Sequence, residues 1–165
     1  MDDEGKFVPN GEVGEIVHRS GHVMTGYLND PEKTESAFEF GWFHSGDLGK
    51  FDKDGYLYVV DRKKDMIKTG GENVASREVE EVLYQHPGVE EVAVIGLPDP
   101  KWIQIVAAAV VPRKHASINE KELVSYCKER LAGFKCPKKI IILDKLPKNP
   151  SGKILKRELK ERYAK

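Results

Sequence analysis

Nowhere in this chain do apolar residues run on for the roughly 20 positions needed to cross a bilayer. The N-terminus also lacks the basic-then-apolar pattern of a secretory leader. Cysteine is scarce: only Cys127 and Cys136 are present, without metal-ligand spacing. That argues against a disulfide framework and for a reducing cytosol, so a cytoplasmic location is expected. Net charge is missing too, with 27 Lys+Arg against 27 Asp+Glu. No global field therefore draws the chain to nucleic acid or membrane. Internal repeats and low-complexity tracts are absent.

What is present is a soluble globular composition over 165 residues, 33% charged and 39% hydrophobic. This is enough for one domain, or for a small domain and part of another. The charge is uneven. From Lys135 to Lys165 there are 11 Lys/Arg against 3 Asp/Glu, a local +8 that leaves −8 in the first 134 residues. A solvated basic helix is one reading; a face for a polyanionic small molecule is the other.

The first 60 residues read as β-rich, with a strand over Val13–Val17, a short segment over Glu32–Phe38 and a hairpin over Phe51–Val60. Asp54-Gly55 supplies the tight turn of that hairpin. Beyond Asp65 the pattern becomes α+β. Ser76 is the expected N-cap of a helix whose apolar stripe is Val79, Val82 and Leu83, stopped by Pro87-Gly88. Strands are expected over Val89–Leu97, Ile105–Val111 (buried on both faces) and Lys139–Leu143. Between the last two lies a helix over Asn119–Leu131, opened by an Asn119/Glu122 capping box, and a basic helix begins near Ile154. The expectation is a domain of residues 65–165 that folds by itself, a junction at 61–64, and a β-rich piece over 1–60 that looks like the end of something larger.

Several site readings fail on register. Asp52 and Asp54-Gly55 look calcium-like, but the first ligand position would fall on Lys50, and no glutamate closes the loop. Gly152-Lys153 invites comparison with a phosphate-binding loop, but Pro147 takes the first glycine position and Ile154 replaces the Ser/Thr. His18 and His22 lack a third ligand, so no metal site is expected. Ser45 and Cys127 have no visible base. His44 neighbours the candidate nucleotide segment.

That segment is GWFHSGDLGKFDKDGYLYVVDRKKDMIKTGGEN, from Gly41 to Asn73. Asp47 suits either a turn or the two hydroxyls of a ribose. Arg62 suits a nucleotide or a surface pair with Asp61 or Asp65. Gly70-Gly71 allows close backbone approach. With the closing motif Leu146-Pro147-Lys148-Asn149-Pro150-Ser151-Gly152-Lys153-Ile154, the chain resembles the C-terminal part of the AMP-forming acyl-CoA synthetases, most like the fatty-acid members. That superfamily also holds peptide-synthetase adenylation domains and beetle luciferases.

The resemblance implies an α+β fold: a small mixed-sheet lid domain with flanking helices, preceded by a β-rich remnant of a large N-terminal domain. It assigns Asp47 and Arg62 to the nucleotide, Lys64 to a hinge, Gly70, Gly71 and Trp102 to CoA, and Lys153 to catalysis of adenylation. Trp102 is equally readable as a core or surface aromatic. Relatives often have Trp-Gly-Glu where this chain has Trp102-Ile103-Gln104, a departure from the family's pattern. The implied substrates are a carboxylic acid, ATP (as MgATP) and CoA, with no metal bound by this chain and no nucleic-acid partner. The implied reaction is adenylation followed by thioester formation, with Lys153 withdrawn between steps. The usual phosphate loop and acyl pocket lie upstream in relatives, so the chain alone is expected to be inactive. A carrier protein in place of CoA, or a non-catalytic binding module, are the rival readings. An apolar face left uncovered on residues 1–60 would favour a homodimer or strand exchange.

Overall fold

The computed structural model describes residues 1–164. They form two compact units, Met1–Lys64 and residues 65–164.

In the first unit, β1 (Gly14–His18), α1 (Pro31–Ala37), β2 (Phe43–Phe51) and β3 (Leu57–Arg62) follow in order, and the strands form an antiparallel sheet β1-β2-β3. Asp30 caps α1 by accepting the Lys33 N–H at 3.0 Å, and Pro31 opens the helix where its missing N–H costs nothing. The β2–β3 turn is held by the Asp52 carboxylate, which accepts the N–H groups of Asp54 and Tyr56, each at 2.9 Å. The calcium-like acid is thus a turn-former. The backbone hydrogen bond from Tyr56 is the chief reason its carboxyl lies below the usual range. Strand β2 begins at Phe43, well before the expected hairpin. Ser45-Gly46-Asp47 therefore lies inside a strand, a place its low β propensity would not suggest. Gly46 takes φ +74, and the β2–β3 register shifts between Leu48 and Gly49.

The second unit contains β4 (Ile67–Thr69), β5 (Glu72–Val74), α2 (Ser76–Tyr84), β6 (Val89–Asp99), β7 (Ile103–Pro112), α3 (Glu120–Lys128), β8 (Lys139–Ile142) and α4 (Lys156–Tyr163). Strands β6 and β7 pair antiparallel along their whole length, and β8 adds to β7 in parallel. Sheet order is β5-β4-β7-β6, with β8 also on β7. This is the expected α+β arrangement, a mixed sheet flanked by helices. Alternation along β6 and β7 sends Val92, Val94, Val106, Ala108 and Val110 into one core with Val79, Leu83 and Leu123. It sends Ala93, Ile95, Ala107 and Ala109 into a second core with Leu146 and Leu159. Burial on both faces explains the nearly unbroken apolar run of β7.

One expected helix cap needs correction, and one expected capping box forms by half. Ala75, in an extended conformation, is the N-cap of α2; Ser76 is its first helical residue, fully buried, and its Oγ accepts from Lys156 Nζ at 2.7 Å. For α3, Asn119 caps as expected, accepting the Glu122 N–H at 3.0 Å. The Glu122 carboxylate instead lies 3.3 Å from Nε2 of the buried His86.

Candidate nucleotide site and lid residues

Asp47 on β2 and Arg62 on β3 are direct cross-strand partners. Arg62 Nε lies 3.2 Å from Asp47 Oδ1, with both side chains partly open to solvent. Beside them an open cleft of about 390 Å³ is lined by Ser45, Gly46, Arg62, Lys63 and Lys64. The Ser45 hydroxyl donates to the Ile16 carbonyl at 2.6 Å and accepts the Asp47 N–H at 3.1 Å. Its role here is to hold the strand, consistent with the lack of a base partner.

Beneath this segment lies a group that composition and spacing did not reveal. Glu15, on β1, is buried, and its carboxylate accepts the Gly46 N–H and Lys63 Nζ, each at 3.0 Å. His44 Nδ1 also lies 3.0 Å from it, and His44 Nε2 lies 3.1 Å from the Glu39 carbonyl oxygen. Burial alone would raise the Glu15 carboxyl. The hydrogen bonds from His44, Lys63 and Gly46 outweigh it and hold the group below the usual carboxylate range. Lys63 is pushed up in turn, first by Asp3 at 2.7 Å and then by Glu15. Glu15 therefore fastens both neighbours of the candidate clamp, Gly46 beside Asp47 and Lys63 beside Arg62. A glutamate within a short apolar strand (Gly14-Glu15-Ile16-Val17) was the available signal.

In the second unit, Gly70 and Gly71 are the two central residues of the β4–β5 hairpin, with Thr69 paired to Glu72. Their φ values of +60 and +88 meet the need of a two-residue turn for positive φ at both positions. The glycines thus have a local structural reason besides close approach to a ligand. Gly70 also touches Trp102. Its N–H donates to the Trp102 carbonyl at 3.0 Å, and a Cβ on Gly70 would come within 2.8 Å of the indole.

Trp102 is neither a core aromatic nor an isolated one. It is partly exposed, with Lys138 Nζ 3.7 Å and Lys101 Nζ 5.0 Å from the ring centroid. The Asp99 carboxylate fixes the turn by accepting the Lys101 and Trp102 N–H groups. At the departure from the family pattern, Gln104 Oε1 accepts the Lys68 N–H at 2.9 Å, and Ile103 is forced to φ +68. Glycine would adopt that backbone without strain.

Lys64 sits in a short 3-10 turn, Lys63–Asp65, and the boundary between the two units follows it. Lys153 is exposed on the loop before α4, and among the described residues its ammonium has no hydrogen-bond or ion-pair partner. The structure thus pairs Asp47 with Arg62 and Gly70 with Trp102, and it sets Lys153 on a loop of its own. Among the described residues no three His, Cys, Asp or Glu side chains gather as a cation site. No helix among them is long and apolar enough to cross a membrane.

Residues 78–153 match the family described as AMP-binding enzyme C-terminal domain. The chain is 51% identical over 162 residues to the long-chain-fatty-acid–CoA ligase FadD13 of Mycobacterium tuberculosis, covering 98% of this chain and 32% of that protein. It is likewise 51% identical to a feruloyl-CoA synthase of an Amycolatopsis species, over 96% of this chain and 32% of the relative. Among solved structures, ATP-bound MatB from Rhodopseudomonas palustris superposes with a TM-score of 0.92 at 42% identity, covering 98% of this chain and 32% of that one. The MenE o-succinylbenzoate CoA synthetase of Bacillus subtilis, in complex with its acyl-adenylate intermediate, gives 0.88 at 43% identity, over 96% of this chain and 32% of that one. This chain therefore spans about a third of the length of the relatives it matches. It belongs to the AMP-forming acyl-CoA synthetase superfamily, as a C-terminal portion.

Proposed function

We propose that the chain serves as the C-terminal part of an acid–thiol ligase that activates a carboxylic acid with ATP and passes the acyl group to CoA. The observation that carries this reading is that a candidate nucleotide clamp and an exposed cation stand on two separate segments. An Asp47–Arg62 pair borders an open cleft, while Lys153, whose ammonium has no partner among the described residues, closes the stretch that matches the family.

In the first step the substrate carboxylate attacks the α-phosphorus of ATP and pyrophosphate leaves. Asp47 accepts hydrogen bonds from the ribose hydroxyls, each charge-assisted and worth roughly 1.5–3 kcal/mol. Arg62 offers a fixed fork of donors to the nucleotide. Lys153 brings a cation to the carboxylate and α-phosphate, where negative charge concentrates. Losing such a preorganised donor costs about 3–4 kcal/mol of barrier. In the second step the CoA thiol attacks the acyl carbonyl and AMP leaves. Rotation about Lys64 exchanges Lys153 for the Gly70-Gly71 hairpin and Trp102, which border the CoA approach. A fatty acid is the substrate class favoured by the 51% identity to a long-chain ligase, while a feruloyl-CoA synthase at the same identity keeps aromatic acids as the comparison arm.

The test is to assay the full-length ligase carrying this chain with ATP, CoA and fatty, aromatic and dicarboxylic acids, reading pyrophosphate and thioester. ATP-dependent thioester formation is expected, and the 165-residue chain alone is expected to give none. Robust turnover by the chain alone, or acylation of a carrier protein with CoA ignored, would contradict the proposal.

A further inference from the structure

The loop carrying Lys153 is built around a single side chain. Asn149-Pro150-Ser151-Gly152 is the residue order favoured by a type I turn followed by a left-handed glycine. Gly152 has φ +83 and its N–H donates to the Asn149 carbonyl at 2.9 Å. Asn149 then clamps the residue beyond. Its N–H donates to the Lys153 carbonyl at 2.9 Å, and its Oδ1 accepts the Lys153 N–H at 2.8 Å. The same Oδ1 accepts the Ser151 hydroxyl at 2.8 Å.

The loop is tied at both ends by its other lysines. Lys148 Nζ lies 2.6 Å from Glu91 Oε1 on β6. Lys156 Nζ lies 2.7 Å from Glu80 Oε1 on α2 and donates to Ser76 Oγ at 2.7 Å. Glu80 Oε1 in turn accepts the Val94 N–H at 2.8 Å, joining α2, α4 and β6. Of the three lysines, two commit their ammonium groups to glutamates of the fold. The third is the one whose backbone Asn149 grips on both sides.

We infer that Asn149 is a positioning residue for Lys153, fixing the root of a flexible four-carbon stem so that its ammonium is delivered to a defined point. This rests on the reading of Lys153 as the adenylating cation. A lysine stem retains large rotamer freedom, so its reach is defined only if the backbone beneath it is held. Without the Asn149 carboxamide, the Lys153 N–H turns to water and the turn loses its inner acceptor.

The test compares Asn149→Ala, Asn149→Asp and Lys153→Ala in the full-length ligase by half-reaction, with amide exchange measured on the 165-residue chain. Asn149→Ala should slow acyl-adenylate formation about 10²-fold, the scale of a misplacement near 1 Å. Thioester formation from supplied acyl-adenylate should be unchanged, and exchange at the Lys153 amide should quicken. Asn149→Asp keeps an oxygen acceptor and should restore both the amide protection and most of the adenylation rate, even where alanine proves too unstable to assay. Unchanged adenylation in Asn149→Ala, or equal loss in both half-reactions, would overturn the inference while leaving Lys153 its role. Retained adenylation in Lys153→Ala would overturn the underlying reading, and this inference with it.

Discussion

Arg62 Nε stands 3.2 Å from Asp47 Oδ1 across adjacent strands. The pair is part-exposed, so its own worth to the fold is at most about 1 kcal/mol. Its geometry is nevertheless fixed from below, because Glu15 holds the residues next to each partner. Asp47→Asn should leave stability within about 1 kcal/mol. In the full-length ligase it should weaken AMP binding roughly 10-fold or more, the loss of at least one charge-assisted bond. Denaturant melts and isothermal titration separate the two effects; a large stability loss with unchanged AMP affinity would assign the pair to folding alone.

Glu15 makes stability depend on acid in a definite direction. Its carboxyl is lowered from an ordinary 4.5 in the folded chain, so the native state binds the proton less tightly than the unfolded one. The stabilisation is thus fully present above that ordinary value and is lost as pH falls through the lower folded value. Glu15→Gln should cost about 1–3 kcal/mol at pH 7, and the gap to the parent should narrow as pH falls below the ordinary 4.5 and through the lowered folded value. Urea melts across that range check it. A gap independent of pH would exclude the carboxylate as the cause.

Two positive-φ positions near Trp102 should respond in opposite senses. Gly70→Ala places a Cβ at φ +60 and 2.8 Å from the indole, so it should destabilise by more than the roughly 1 kcal/mol cost of a left-handed backbone. Ile103→Gly relieves φ +68 at a side chain 69% exposed. It should stabilise by about 1 kcal/mol, since little burial is lost and left-handed strain is removed. Thermal melts of both variants decide; destabilisation by Ile103→Gly would show that the isoleucine makes contacts outweighing its strain.

Cys127 and Cys136 are buried, and burial pushes the Cys127 thiol up to about 11. Both should resist an aromatic disulfide reagent at pH 8 in the native chain and react fully in denaturant. Rapid native labelling of either would contradict their place in the core.

Much of the second unit was legible because hydrophobic period and turn chemistry agree there. The apolar run of β7 and the Asn119 cap each have one dominant physical cause. Legibility failed where a tertiary partner decides. Ser76 looks like a cap, yet Lys156, distant in sequence, claims its hydroxyl. Gly46-Asp47 looks like a turn, yet lies in a strand between β1 and β3. Glu15 and Asn149, which brace the candidate site residues, touch them through backbone groups and neighbours, and so leave no motif of charge or spacing.

The most direct test of the account is Lys153→Ala in the full-length ligase, read as two separate half-reactions. Acyl-adenylate formation from carboxylate and ATP should fall by at least 10²-fold, on the scale of a lost oxyanion donor. Thioester formation from supplied acyl-adenylate and CoA should stay at the parent rate. Equal loss in both steps, or adenylation left intact, would contradict a lysine that acts in the first step and withdraws for the second.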